Sequence, residues 1–142
     1  MKARDVMTPN PQCVTPEDRL SEAARIMRSA DTGFVPVVDD RSSMRLSGVI
    51  TDRDIAVRHV ADNHPEDCAV RDHMSGSVRS VTPDEDVKKV LDLMKSEQIR
   101  RIPVVENDRL VGVIAQADIA TRDVGDRKVG DTVEKISEPT RR

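Results

Sequence analysis

The sequence predicts an α+β fold of two tandem β-α-β-β-α units related by pseudo-two-fold symmetry. Three observations carry that expectation. The phrase GVITDRD at residues 48–54 returns as GVIAQAD at 112–118. A shift of 67 residues lays Arg4-Asp5-Val6-Met7 on Arg71-Asp72-His73-Met74, and Val14-Thr15-Pro16 on Val81-Thr82-Pro83. The same shift lays Pro36-Val37-Val38 on Pro103-Val104-Val105, after which it falls to 64 because the first copy has three more residues in its polar turn, 39–46. Duplication at this period means two copies of one supersecondary unit rather than a solenoid.

Each copy reads in the same order. Val-Thr-Pro implies a short strand running into a helix, with Thr15 as cap, Pro16 at the first helical position and Asp18 as the capping-box carboxylate; Thr82, Pro83 and Glu85 repeat the set. Apolar residues then recur at helical spacing, Leu20, Ala23, Ala24 and Met27 in one copy and Val87, Val90, Leu91 and Met94 in the other, and these stripes read as core. The β-branched runs at 34–38 and 102–105, each followed by a polar turn and a second apolar run (46–50 and 110–114), read as hairpins. A closing helix is expected from about Asp54 and Asp118, carrying Ile55-Ala56-Val57 or Ile119-Ala120. Three strands and two helices leave a sheet face bare, and the obvious cover is the twin unit. The expected boundaries are 3–60, a connector at 61–70, 71–124, and a C-terminal segment at 125–142. In that segment Val129-Gly130-Asp131-Thr132-Val133 echoes Val70-Arg71-Asp72-His73-Met74, suggesting a short terminal helix with a frayed end.

Composition narrows the function. The chain has 142 residues, 37% hydrophobic and 35% charged, enough to bury a core without metals or disulfides. Phe34 is its one Phe, Tyr or Trp, which leaves only arginine planes as stacking platforms, and with a net charge of −3 and no long lysine or arginine run, attraction to a nucleic-acid backbone is expected to be weak. No run approaches the length of a membrane span and the N-terminus lacks a signal-like apolar core, so a cytoplasmic protein is expected. Cys13 and Cys68 are expected as reduced thiols, and His59, His64 and His73 as surface residues without a metal-ligand pattern. No nucleophile elbow, P-loop or zinc-protease motif is present, and no enzymatic activity is expected.

The two phrases differ in their chemistry. Gly48 permits close backbone approach, Thr51 stands at a strand-to-helix corner, and Asp54 follows at the helix start, where a negative group suits the free N–H groups. Thr-x-x-Asp is also an ordinary capping box, so capping and ligand binding are both open readings. The second phrase puts Ala115 and Ala117 where the first has Thr51 and Arg53, and keeps Asp118.

A duplicated unit with an h-P-V-V strand followed by G-h-h-T-x-x-D resembles a pair of cystathionine-β-synthase (CBS) domains, the Bateman module, over about residues 3–124. The TDRDI and RRIPVV phrases look most like small bacterial stand-alone CBS pairs of the hypoxic-response type, and like the regulatory insert of inosine-monophosphate dehydrogenase. The resemblance implies a cleft between the units that binds AMP, ADP, ATP or another adenosyl ligand such as S-adenosylmethionine or NAD, with no obligatory cofactor. It implies that Asp54 holds the ribose and that Thr51 faces phosphate; for Arg53, phosphate and solvent are both open readings. The other unit would contribute Val78, Ser80, Arg100, Arg101 and Ile102. A second, weaker cleft would combine Asp118 with Cys13, Phe34 and Val35. The resemblance also implies a homodimer, formed through the closing helices with Ile55, Val57, Ile119 and Ala120 otherwise exposed, that signals to an effector protein of unknown identity. The competing expectation is a dimeric interaction module that binds no ligand.

Overall fold

The structure, a computed structural model, describes residues 1–121; the C-terminal echo, the expected terminal helix and the frayed end lie outside the described residues. In chain order the elements are α1 (Ala3–Val6), β1 (Thr8–Pro9), α2 (Leu20–Ala30), β2 (Phe34–Val38), β3 (Leu46–Thr51) and α3 (Asp52–Asp54). A π-helical stretch (Ile55–Val60) and a 3₁₀ turn (Val70–Asp72) follow, then α4 (Val87–Glu97), β4 (Arg101–Glu106), β5 (Arg109–Ala115) and α5 (Gln116–Thr121). The class is α+β, and both hairpins stand where the sequence places them. The first strand of each repeat is a single ladder step, Val14 beside Val37 and Val81 beside Val104, both parallel. Among the described residues no helix is long and apolar enough to cross a membrane.

The chain forms two compact units, and neither coincides with one repeat. Among the described residues, 11–78 and 107–110 make the first-hairpin unit, and 1–10, 79–106 and 111–121 make the second-hairpin unit. In the first-hairpin unit β2 and β3 pair antiparallel, with Phe34 opposite Thr51 and Val35 opposite Ile50. The sheet covers a core of Val14, Leu20, Ala23, Val35, Val37, Ile50 and Val70. The other edge of β3 is taken by Ser75. Its N–H donates to the Val49 carbonyl at 2.9 Å and its carbonyl accepts from the Val49 N–H at 3.0 Å.

The second-hairpin unit repeats this arrangement with the opposite donor of chain. Its sheet runs β1-β5-β4, with Thr8 opposite Val113 and Pro9 opposite Gly112. Ala3, Val6, Val81, Val90, Leu91, Met94, Ile102, Val104, Ile114 and Ile119 are among its core residues. Thr8 and Ser75 are 67 apart and Val49 and Val113 are 64 apart, the two shifts of the sequence repeat. Each repeat therefore lends its leading segment to the hairpin of the other.

This exchange explains the glycine in both doubled phrases. A Cβ on Gly48 would collide with the Met74 methyl and, more seriously, with the Ser75 carbonyl oxygen. A Cβ on Gly112 would meet the Met7 sulfur at 2.5 Å and the Thr8 carbonyl oxygen at 3.0 Å.

The exchange also moves the helix starts. The sequence reading put them at Pro16 and Pro83; the helices begin at Leu20 and Val87. The capping interactions exist as an isolated turn, with Thr15 N–H donating to Asp18 Oδ2 at 2.9 Å and Asp18 N–H to the Thr15 carbonyl at 3.1 Å. A helix from Pro16 would need its carbonyl for the Leu20 N–H. Instead that carbonyl accepts from Arg71 N–H at 3.0 Å, and Leu20 N–H donates to the Cys68 carbonyl at 2.9 Å. In the other unit the Pro83 carbonyl is likewise taken by Arg4 N–H at 3.0 Å.

One expected exposed residue is not exposed. Ile119 is 0% accessible in the core of its unit, because α5 lays that side chain on the sheet. Ile55 is half-buried and Ala120 exposed, while Val57 and Val60 stand out to solvent at 49% and 64%.

Two outcomes are expected. Gly48→Ala should destabilise by about 1–3 kcal/mol, the usual cost of overpacking. Gly112→Ala should cost less, because most of its clash falls on a flexible methionine; urea unfolding of both variants measures the order, and a smaller loss at Gly48 contradicts the exchange. The second outcome concerns Asp18. Burial pushes its carboxyl upward, but the Thr15 N–H and the Arg41 guanidinium at 2.7 Å outweigh it and hold the group below 3.8. Its stabilisation is therefore complete above about pH 4 and is lost as pH falls through the lowered value. Asp18→Asn should lower stability at neutral pH and flatten the acid limb of the stability profile, as read by thermal melts.

Candidate functional site

The two corners after β3 and β5 are built from the doubled phrases. Thr51 is still extended, with φ −118°, and α3 starts at the next residue. Asp54 N–H donates to Thr51 Oγ1 at 3.1 Å, and Thr51 N–H donates to Asp54 Oδ2 at 3.0 Å. This reciprocal cap uses the hydroxyl as an acceptor and leaves its hydrogen available to donate. It also leaves Asp54 Oδ1, which lies 3.8 Å from Arg58 Nε on a side chain only 16% exposed. Capping and ligand binding are thus compatible uses of the same two side chains. Asp52 N–H donates to the Gly33 carbonyl at 2.9 Å, tying the corner to the residue before β2.

The second corner follows the same plan without the hydroxyl. Ala115 N–H donates to Asp118 Oδ2 at 3.0 Å, and Ala115 has no side-chain oxygen to return the bond. Gln116 N–H donates to the Arg100 carbonyl at 2.8 Å, tying this corner to the residue before β4.

Thr51, Arg53, Asp54, Val78, Cys13, Phe34 and Val35 belong to the first-hairpin unit, and Ser80, Arg100, Arg101, Ile102 and Asp118 to the second-hairpin unit. Within one unit the fold brings Thr51 and Asp54 to the Gly33-Phe34 step, and Asp118 to the Arg100-Arg101 step. Arg53, Ser80 and Arg100 are exposed, while Val78, Phe34 and Arg101 are half-buried. Two of the expected residues have fully buried side chains. Ile102 and Val35 are 0% exposed, packed in the cores of their units, so only their backbones could meet a ligand. Cys13 is half-buried 3.9 Å from the Met44 sulfur, and burial pushes its thiol above the ordinary value, which keeps it protonated and unreactive.

The histidines differ from the expectation of surface residues without a ligand pattern: His64 is exposed, but His59 is half-buried and His73 buried. After Asp54 the backbone widens to i→i+5 bonding, with Ala61 N–H to the Ala56 carbonyl at 2.9 Å and His64 N–H to the His59 carbonyl at 3.2 Å. That widening sets His59 and His64 one above the other, and the 3₁₀ turn brings in His73, which is 4% exposed. An α-helix would have put residues i and i+5 on different faces, which is why their spacing carried no ligand signal.

The model of the CBS domain family matches this chain twice, at residues 3–59 and 70–125. Hypoxic response protein 1 of Mycobacterium tuberculosis is 33% identical over 96% of this chain and 94% of its own length. A crystal structure of hypoxic response protein I with two coordinated zinc ions superposes with a TM-score of 0.77 at 34% identity, covering 85% of this chain and 98% of that one. The CBS domain pair of protein MJ0100, in complex with 5′-methylthioadenosine and S-adenosyl-L-methionine, gives 0.75 at 28% identity, covering 86% of this chain and 94% of that one. The duplicated corner, the two hairpins and these matches agree, and the chain belongs to the CBS domain family as a tandem pair.

Proposed function

We propose that this protein is a regulatory module that binds an adenosyl ligand and conveys its occupancy to an effector protein. The observation that carries the reading is the Thr51–Asp54 corner, whose capping bonds leave one hydroxyl hydrogen and one carboxylate oxygen available. A carboxylate oxygen suits the vicinal hydroxyls of a ribose, and a hydroxyl donor suits a phosphate oxygen. Arg100 and Arg101 are the cations proposed for the phosphate, since guanidinium makes charge-assisted bidentate contacts. The related MJ0100 pair with its two adenosyl compounds supports the ligand class. AMP, ADP and ATP fit the proposed donors through their phosphates; S-adenosylmethionine and NAD share the ribose.

A second arrangement is favoured by one hydrogen bond. Gln116 N–H to the Arg100 carbonyl brings Asp118 and Arg100 into the same corner, so a ribose on Asp118 would have its arginine in the same unit.

We further propose a homodimer through the stretch after Asp54. Exposed Val57 and Val60 support it, although Ile119 no longer does. Light scattering at micromolar concentration should give twice the chain mass, and Val57→Asp should give one; a monomer throughout overturns the claim.

Calorimetry with AMP, ATP, S-adenosylmethionine and adenosine tests the ligand reading. Asp54→Ala should remove charge-assisted bonds of about 1.5–3 kcal/mol, a loss of roughly 10- to 150-fold in affinity. Asp54→Asn, which keeps an acceptor for the cap, separates loss of charge from loss of helix. Asp118→Ala should matter much less, and Arg101→Ala should weaken AMP more than adenosine. The reverse order of the two aspartates supports the second arrangement. No binding by the parent protein leaves the ligand-free interaction module.

A further inference from the structure

Four side chains converge on the connector side of the first-hairpin unit, in the pattern His59-x4-His64-x3-Cys68-x4-His73. The His59 and His64 rings stack at 5.5 Å with 13° between their planes. His73 meets both edge-on, with ring centroids 5.2 Å away. The Cys68 sulfur lies 3.9 Å from His64 Nδ1. One donor atom from each of the four lies within 4.8 Å of all the others.

Two independent features separate this cluster from ordinary packing. His59 Nδ1 and His73 Nε2 are buried and find no hydrogen-bond partner among the described residues. Leaving buried imidazole nitrogens unpaired is costly, and native structures rarely tolerate two together. The repeat supplies the second feature. The counterpart of His73 is Val6, 3% exposed in the core of the other unit, so the fold requires only an apolar side chain at this position. Packing does not call for a histidine there.

We propose that His59, His64, Cys68 and His73 form a zinc site. Three neutral imidazoles and one thiolate are a borderline-soft donor set that suits Zn²⁺ over calcium or magnesium. Zn–N bonds of about 2.0–2.1 Å and a Zn–S bond of about 2.3 Å imply donor-to-donor edges of about 3.3–3.6 Å in a tetrahedron. The 3.9 Å sulfur–nitrogen separation is close to such an edge. Four protein donors complete the coordination shell, so the ion is structural rather than catalytic. It would fasten the connector and the 3₁₀ turn to the π-helical stretch. Arg58 lies on that stretch with its guanidinium 3.5 Å from the His73 carbonyl and 3.8 Å from Asp54 Oδ1, so the metal would brace the turn beside the corner carboxylate.

The test uses the whole chain, stripped with a chelator and assayed without nucleotide. Titration with Co²⁺ should saturate at one equivalent per chain and give the intense visible bands of tetrahedral cobalt with a near-ultraviolet thiolate charge-transfer band. Zn²⁺ should displace the cobalt and raise the melting temperature. Cys68→Ser should abolish the charge-transfer band, and each of His59→Gln and His73→Val should weaken Zn²⁺ binding by more than about 100-fold, beyond the usual effect of outer-shell changes. His73→Val copies the other repeat and should fold, as a far-ultraviolet dichroism melt would show. A weak octahedral cobalt spectrum, binding indifferent to Cys68→Ser, or a melting temperature unmoved by zinc would each overturn the site and leave a stack of rings.

Discussion

The structure depends on a pair of exchanged backbone pairings, Ser75 with Val49 in one unit and Thr8 with Val113 in the other. A two-stranded hairpin is marginal in water, and each hairpin here gains its third edge from chain that leads into the other repeat. That single constraint accounts for several otherwise separate features. It demands a glycine opposite the incoming backbone, hence Gly48 and Gly112. It takes up the carbonyls of Pro16 and Pro83, hence the helices that begin four residues later than their capping boxes suggest. It carries Ala3 and Val6 into one core and Val70 and His73 into the other.

The hairpins and the corners were legible because their signals are local. The β-branched runs around Pro36 and Pro103, a polar turn, and Thr or Ala followed by Asp at the corner all lie within a few residues of what they specify. The exchange was not legible from periodicity. Val49 and Ser75 are distant in sequence, and pairing across a repeat boundary leaves no spacing to detect. The helix starts were misread for the same reason. Thr15 and Asp18 make the bonds of a capping box, but the fate of the Pro16 carbonyl is decided by Arg71, far along the chain. The buried side chains of Ile102 and Val35 lie in continuous apolar runs, the pattern of strands buried on both faces.

The proposed sites and the fold meet in the segment from Thr51 to His73. The corner caps itself and retains a hydroxyl hydrogen and a carboxylate oxygen, the chemistry a nucleoside needs. Immediately afterwards the backbone leaves α-helical bonding, and π-helical stretches of this kind recur at functional sites. The widened turn puts His59 and His64 in line, which no reading based on α-helical spacing would recover. The repeat held one usable clue, since His73 occupies the place of Val6. A titratable residue at a core position of a duplicated fold marks divergence between the copies. The loss of the hydroxyl at Ala115 marks another, so the two halves share an architecture and differ in what they present.

The exchanged pairing is tested most directly by amide hydrogen exchange in the intact protein, resolved at single residues by NMR. The Val49 and Ser75 amides, bonded to each other's carbonyls at 3.0 and 2.9 Å, should be protected as strongly as Val35 and Ile50 at the centre of the hairpin. Protection of Val35 and Ile50 with rapid exchange at Ser75 and Val49 would mean that the leading segment does not complete the sheet, and the account of the glycines, the helix starts and the histidine placement would fail with it.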